Sequence, residues 1–522
     1  MQAKILVAGA TGYVGGRLVP ILLQNGHHIR ALTRNTDKVR SRPWGGHENL
    51  EVRQGDMLDQ ASVQQAVDGC SVVYYLVHSM EDQYRDFSAT ERQAAYNMVR
   101  ALKGRHDCRV IYLSGLLPED VHLSRHLRSR GEVEEILSLA DAPLTTLRAA
   151  QLIGAGSASF EMIRWLVDRL PVLVTPKWTH VRTQPISTSD ALAYLVGALE
   201  HPETTGESYD IGGPDILSYA DLFKLYAKEA GLRFRPVIPL PWVSLRLSAQ
   251  IISLVTPIPG ALVKPLIEGM RNQVVCAENR IRQIVPLELT PIREALKRAL
   301  GRTRQHSVKS CWFDAGLPVV PEWVVRGDPQ YVEAAIYRDT YSIRLAAEPD
   351  EVWKLLVQIG GTTGWYSNNF LWRLRGLMDK IIGGPGLHRG RRSSQTLYVG
   401  DGLDFWRVLD IRPSKRLLLY TTMRLPGEGL LDFVINPMLQ EGDEKKSDTE
   451  LMLSLYFRPQ GLPGRAYWYA VAPFHRIVFL GMLKAMAQRL GKSVIEGPAR
   501  VKRPLGWAAL KQEKNLARNN RE

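Results

Sequence analysis

From Lys4 onward the chain alternates short apolar runs with stretches whose apolar residues fall at helical spacing. Lys4-Ile5-Leu6-Val7-Ala8 is the first such run and stops at Gly9-Ala10-Thr11-Gly12-Tyr13-Val14-Gly15-Gly16, after which Leu18, Ile21 and Leu22 share one helical face. Further runs lie at residues 28–33, 50–53, 71–77 and 109–113, with helical stretches between them. Alternating strand and helix predicts an α/β unit built on a doubly wound parallel sheet. After residues 301–328 the pattern changes. Residues 341–345 read as a strand, and Pro349-Asp350-Glu351-Val352-Trp353 as a helix start with acidic residues in its first turn. Strand-like segments follow at 404–411, 416–423, 430–435 and 450–457, then a long helix at about 467–490, which predicts a second, α+β unit.

The strand, glycine turn and helix at the N-terminus have the form of a phosphate cradle. Gly9 permits the sharp turn, Gly12 lets the backbone approach a pyrophosphate, and Gly15 lets the helix pack on the strand, with Thr11, Tyr13 and Val14 completing the loop. The second strand ends in Arg34, where a carboxylate would suit the ribose hydroxyls of NAD. A guanidinium there suits a 2′-phosphate, so NADP is favoured over NAD, with an exposed loop arginine as the alternative. Asp56, with Met57, follows the third strand, where an acid can reach an adenine amine. The fifth strand ends at Ser114.

Residues 237–270 are apolar but broken by Pro239, Pro241, Pro257 and Pro259, too short an uninterrupted stretch for a membrane span. They read as substrate-lobe helices, with a segment lying on a membrane or a partner-protein contact as the alternatives. Composition changes little: 45% apolar and 23% charged residues are ordinary for a folded protein and exclude whole-chain disorder. Cys70, Cys108, Cys276 and Cys311 form no CxxC pair, so neither a zinc ribbon nor a disulfide framework is expected, and a reducing compartment fits. The net charge of +14 is partly local, since residues 492–522 carry eight basic and three acidic side chains. That segment reads as a solvated basic tail, or as a contact with anionic lipid or nucleic acid. The N-terminus has no signal-like h-region, so export is not expected.

Gly9-Ala10-Thr11-Gly12-Tyr13-Val14-Gly15, Gly55-Asp56, Leu113-Ser114, Leu144-Thr145-Thr146-Leu147-Arg148 with Gly154, Gln184-Pro185-Ile186 with Asp190, and Gly212-Gly213-Pro214 with Leu217-Ser218-Tyr219 together resemble the short-chain dehydrogenase/reductase superfamily in its extended or atypical, NmrA- and epimerase-like form. The resemblance covers about residues 1–300 and implies a Rossmann-type fold, a nicotinamide cofactor and oxidoreductase chemistry. The family's YxxxK pair is missing. In its place stand His126 and Arg130, four residues apart on one helical face with Glu134 a turn beyond. His126 would transfer a proton near neutral pH and Arg130 hold a ribose or an oxyanion, with Ser114 or Tyr74 as other proton sources. An ordinary surface helix is the alternative. The second unit resembles, more weakly, the helix-grip fold of START/Bet v 1-like (SRPBCC) proteins, which implies an apolar cavity that Trp365, Trp372, Phe405, Trp406, Tyr467 and Trp468 would line.

The expected organisation is a Rossmann domain at 1–235, substrate-lobe helices and linker at 236–328, a helix-grip domain at 329–491 and a basic tail at 492–522. The expected function is an NAD(P)H-dependent oxidoreductase acting on a hydrophobic carbonyl or quinone-like molecule. A non-catalytic NADPH sensor and a membrane-associated lipid-binding protein are the alternatives. Expected partners are a hydrophobic small molecule and, as an open alternative, a peripheral membrane contact, with no specific nucleic acid; the expected location is cytoplasmic or the inner face of the membrane. No metal site is expected.

Overall fold

A computed structural model describes residues 4–78, 87–117, 123–240, 244–256, 263, 267–305, 308–315, 336–387, 391–393, 395–440 and 443–501. The chain divides into two compact units, Met1–Leu317 and Pro318–Glu522. The division falls inside the stretch read as lobe and linker, and its flanks at 316–335 lie outside the described residues.

In the first unit, strands β1 (Lys4–Ala8), β2 (His28–Thr33), β3 (Leu50–Gln54), β4 (Val72–Tyr75), β5 (Arg109–Gly115), β6 (Leu144–Ala149) and β7 (Ser208–Ile211) form one parallel sheet in the order β7-β6-β5-β4-β1-β2-β3. Side chains alternate across it. Ile5, Val7, Tyr74 and Ile111 enter one core, whereas Leu6, Ala8, Val73, Tyr75, Val110 and Tyr112 enter the other. Both faces are therefore covered, which is why β1, β4 and the body of β5 read as nearly unbroken apolar runs. Helices α1 (Gly15–Gln24), α2 (Thr36–Arg40), α3 (Gln60–Val67), α4 (Phe87–Ala101) and α5 (Arg125–Leu137) connect the strands. Asn35, Asp59 and Ser124 accept from backbone N–H groups at the starts of α2, α3 and α5. The strand order reverses at β1, so the crevice of this doubly wound sheet opens at its carboxyl edge between β1 and β4.

A third core joins helices Ala158–Arg169, Tyr219–Glu229, Leu245–Val255 and Ile292–Arg304 through Phe160, Ile163, Tyr226, Ile252 and Leu296. Residues 237–239 pair in parallel with 173–175, so the described part of the proline-punctuated segment packs into this lobe. Pro241, Pro257 and Pro259 lie outside the described residues.

In the second unit, β8 (Tyr337–Leu345), β9 (Gly402–Leu403), β10 (Trp406–Arg412), β11 (Arg416–Thr421), β12 (Gly427–Gln440), β13 (Asp443–Pro459) and β14 (Val494–Arg500) form an antiparallel sheet in the order β9-β10-β11-β12-β13-β8-β14. Helix α6 (Pro349–Leu356) opens with a capping box between Glu348 and Glu351; α7 (Asn369–Ile381) follows, and α8 (Gly461–Leu490) packs on β13, β8 and β14. Val478, Phe479, Met482, Leu483 and Met486 of α8 meet Leu451, Leu453, Tyr341 and Ile343 in the core.

Three expectations are corrected here. Residues 494–500 are not tail but an edge strand on β8; their side chains are mostly exposed, so they lack the apolar alternation that marks a strand. Strands β12 and β13 run 14 and 17 residues, beyond the apolar parts that were legible. Helix α8 begins at Gly461 rather than about 467 and keeps Pro473 inside it. The remainder of the basic tail, 502–522, lies outside the described residues.

Candidate functional site

Because all seven strands of the first sheet are parallel, the residues that follow them line up along one edge. Reading across it, Ser114 ends β5, His78 follows β4, Gly9 follows β1, Arg34 follows β2, and Asp56 with Met57 follows β3. Four inter-strand spacings of about 4.8 Å separate Ser114 from Asp56, roughly 19 Å. The glycine turn sits in the middle of that row.

The turn is sterically committed to glycine at two points. Gly9 has φ of +93°, and a side chain there would meet the Leu76 carbonyl oxygen at 2.6 Å. A Cβ on Gly15 would lie 2.2 Å from the Gly9 carbonyl oxygen, so only glycine lets α1 start this close to β1. The Gly12 amide donates to the Gly9 carbonyl at 3.0 Å and closes the loop between Thr11 and Val14. Tyr13 is turned inward: its hydroxyl lies 2.9 Å from Thr188 Oγ1, burial pushes its pKa up, and the Arg17 guanidinium covers its ring. It supports the loop with its side chain rather than presenting it to a ligand.

The loop is also strapped from behind. Arg17, 4% exposed, donates from Nε to Ser310 Oγ at 2.8 Å and from Nη2 to the Ala155 carbonyl at 2.6 Å, while Ser310 Oγ donates to the Tyr13 carbonyl at 2.7 Å. Beyond β2, Lys38 donates to the Asp314 carbonyl and Arg42 lies 3.5 Å from the Asp314 carboxylate. Arg34 is half-buried directly after the strand. Asp56 Oδ1 accepts from the Leu58 amide at 3.0 Å, and the Met57 carbonyl accepts from Asn97 Nδ2 at 2.9 Å, which fixes that turn.

At the other end of the row, α4 and α5 bring a charged cluster to the end of β5, where a Cβ on Gly115 would lie 3.8 Å from Arg130 Cγ. Arg130 forms a buried ion pair with Glu91 Oε1; Ser129 Oγ donates to Glu91 Oε2 at 2.5 Å, and His78 Nδ1 lies 2.8 Å from Glu91 Oε1. Burial would raise the Glu91 pKa, but Arg130, His78 and Ser129 outweigh it and hold the carboxyl well below its usual range. The His78 and His126 rings lie with centroids 5.2 Å apart and planes tilted by 35°. Burial, with His78 and Arg130 alongside, pushes the His126 pKa down to about 3, and its Nδ1 is buried without a hydrogen-bond partner. Ser114 is buried next to Tyr112.

His126 and Arg130 are thus brought together with Ser114's strand, but two expectations change. His126 is a neutral imidazole at pH 7 rather than a group titrating there, because its low-dielectric surroundings, with His78 and Arg130 adding to them, disfavour its charged form. Arg130 is neutralised by Glu91 instead of standing ready for a ribose. Glu134 leaves the cluster for Arg148 and Ser208. Tyr74 donates to the Leu195 carbonyl at 2.8 Å in the core on the opposite sheet face, so it is no proton source here. Glu91, His78, Arg17 and Ser310 escaped the sequence reading, since their partners lie between 13 and 293 residues away.

The second unit holds an aromatic cluster. Trp365 and Trp372 stack at 4.5 Å, Trp406 lies 6.3 Å from Trp365, and Trp365 Nε1 donates to Asp404 at 2.9 Å. Burial pushes the Asp404 pKa up to about 6 despite that bond. The indole N–H groups of Trp372 and Trp406 are buried without an acceptor. Of the six expected cavity aromatics, Trp365, Trp372, Phe405 and Trp406 share this cluster, whereas Trp468 stacks apart on Tyr337 and Phe457, with Tyr467 beside Phe457. Among the described residues no group of His, Cys, Asp and Glu is arranged to hold a metal.

Residues 1–252 match the NmrA-like family, and residues 331–482 match a family described as a protein of unknown function, DUF2867. Over 242 residues the chain is 27% identical to an isoflavone reductase homolog of Zea mays, covering 45% of this chain and 76% of that protein. It is 26% identical over 202 residues to a ceramide reductase of Caulobacter vibrioides, covering 38% and 62%. Cinnamoyl-CoA reductase 1 of Petunia hybrida is 27% identical over 116 residues; the alignment covers 22% of this chain and spans 35% of that relative. Among solved structures, a nucleoside-diphosphate-sugar epimerase from Staphylococcus aureus superposes with TM-score 0.48 at 20% identity, over 57% of this chain and all of the other. Residues 1–252 are thus similar to NmrA-like proteins, and the unit that holds them carries a Rossmann-like parallel sheet.

Proposed function

We propose that the first unit binds a nicotinamide dinucleotide, NADPH in preference to NADH, along the carboxyl edge of its sheet, and that it reduces a hydrophobic carbonyl or quinone-like molecule. The observation that carries this reading is the row itself: an adenosine end at Asp56 and Arg34, a phosphate cradle at Gly9–Gly15, and a polar cluster with an orphaned buried imidazole nitrogen at Ser114, His78, His126 and Arg130. Arg34 would hold the 2′-phosphate, the amides of the turn the pyrophosphate, and Asp56 the adenine amine. A bound nicotinamide supplies hydride. The protein's share is positional and electrostatic. Neutral His126 donates a hydrogen bond to the substrate oxygen, the Glu91–Arg130 pair holds α4 against α5, and solvent water supplies the proton that the substrate oxygen takes up. The reductases among the relatives, one of them named for ceramide, support an apolar substrate.

The second unit, in this reading, is a helix-grip-like ligand holder, and the two acceptor-less indoles favour a molecule that carries an oxygen acceptor on an apolar body. The test is NADPH consumption by the full chain against apolar ketones, aldehydes and quinones. Turnover with His126→Ala reduced about tenfold or more supports the reading. Tight NADPH binding with no turnover across the panel would replace it with the sensor function.

A further inference from the structure

Helix α7 carries an apolar stripe that faces outward. Phe370 is 74% exposed and Ile381 73%, with Leu374, Leu377 and Met378 between them, at the i, i+4, i+7, i+8, i+11 spacing of one helical face. Trp372, Gly376 and Asp379 occupy its buried side. Helix α8 meets it at a few side chains: Asn368 Nδ2 donates to the Ile477 carbonyl at 3.1 Å, Trp372 and Phe479 ring centroids lie 6.5 Å apart, and the Arg375 guanidinium sits 5.7 Å from the Tyr467 ring. Phe474 and Ile477 of α8 are more than half exposed as well. A helix ordinarily shows water its polar side; this pair shows it seven large apolar side chains.

Charge identifies the occupant. Helix α7 bears Arg373, Arg375 and Lys380, and its one acid, Asp379, is buried and accepts from the backbone amides of Gly386 and Arg424. Helix α8 bears Arg465, Arg476, Lys484 and Arg489 and no acid. We propose that this face docks on an anionic lipid surface, with the stripe of α7 among the acyl chains and the cations at phosphate level. Helix α8 is long and apolar enough to span, but Val478, Phe479, Met482 and Leu483 are committed to the sheet core, so it lies on the surface instead of crossing it. A second copy is a poor occupant, because a two-fold contact would set these cations against themselves. The proposal is independent of the reductase reading.

Flotation of the full chain with phosphatidylcholine vesicles containing roughly a third phosphatidylglycerol tests it. The protein is expected to float with these and much less with pure phosphatidylcholine, and to lose binding as salt rises from about 0.1 M to about 1 M, which shortens the screening length from about 10 to about 3 Å. Leu377→Asp with Ile381→Asp should cut partitioning roughly tenfold or more. Phe234→Ser, at a position 80% exposed in the first unit, should float like the parent. Should the double variant melt early, Phe370→Ser carries the same expectation. Equal flotation of parent and stripe variants, or none with anionic vesicles, would overturn the proposal. So would a sedimenting dimer that the stripe variant converts to monomer.

Discussion

Gly15 and Gly16 are adjacent, both begin α1, and differ in what surrounds them. A Cβ at Gly15 would meet the Gly9 carbonyl oxygen at 2.2 Å, with Ala10 Cα and the Gly9 carbonyl carbon at 2.9 Å. At Gly16 the nearest atoms are Ser310 Cβ at 3.6 Å and the Ala10 carbonyl oxygen at 3.7 Å, ordinary contact. Both alanine variants gain about 0.5–1 kcal/mol from reduced backbone freedom in a helix. Gly15→Ala must also push α1 away from the turn, and every obstructing atom is backbone, so its overpacking cost sits at the upper end of about 1–3 kcal/mol. Gly16→Ala should therefore be as stable as the parent or slightly more so, and Gly15→Ala less stable than the parent by about 2–2.5 kcal/mol. Urea unfolding of the full chain, following the transition of the first unit, measures the gap. Equal midpoints for the two variants would refute the claim that this turn is held shut against the helix start.

Removing the carboxylate in Glu91→Gln leaves Arg130, 5% exposed, without its counter-charge, and should cost about 3 kcal/mol in a urea titration; a loss below about 1 kcal/mol would mean the pair is not the anchor of α4 on α5. For Asp404 the sign runs opposite to that of a paired carboxylate. Its folded pKa of about 6 lies above its ordinary 3.8, so the folded unit binds the proton more tightly and stability falls as pH rises through that window, by up to about 3 kcal/mol. Asp404→Asn should flatten the fall between about pH 4 and about pH 6; an unchanged slope in thermal melts would place the titration elsewhere.

Five strands of the parallel sheet were legible, most plainly β1, β4 and β5, where burial on both faces writes an apolar run with glycine or a polar residue at its end; β6 and β7 were missed because Thr145, Thr146, Arg148 and Asp210 interrupt them. The glycine turn was legible too, since a close backbone approach admits few residues. What escaped has no local signal. Residues 494–500 pair with β8 across about 150 intervening positions while showing water most of their side chains, and the strap of Ser310 and Asp314 meets Arg17 and Lys38 over nearly 300. The spacing of His126 and Arg130 correctly put them on one face. It did not disclose Glu91, whose charge turns Arg130 from a ligand candidate into half of an ion pair.

Calorimetric titration of the full chain with NADPH and NADH, for the parent, Gly12→Val and Arg34→Ala, tests the central claim most directly. One site that prefers NADPH is expected in the parent, with no detectable binding to folded Gly12→Val. Arg34→Ala should lose about 1.5–3 kcal/mol toward NADPH and little toward NADH, the scale of a hydrogen bond to a charged group. Retained affinity in Gly12→Val, or no binding of either nucleotide by the parent, would contradict the assignment of the sheet's carboxyl edge as a dinucleotide site.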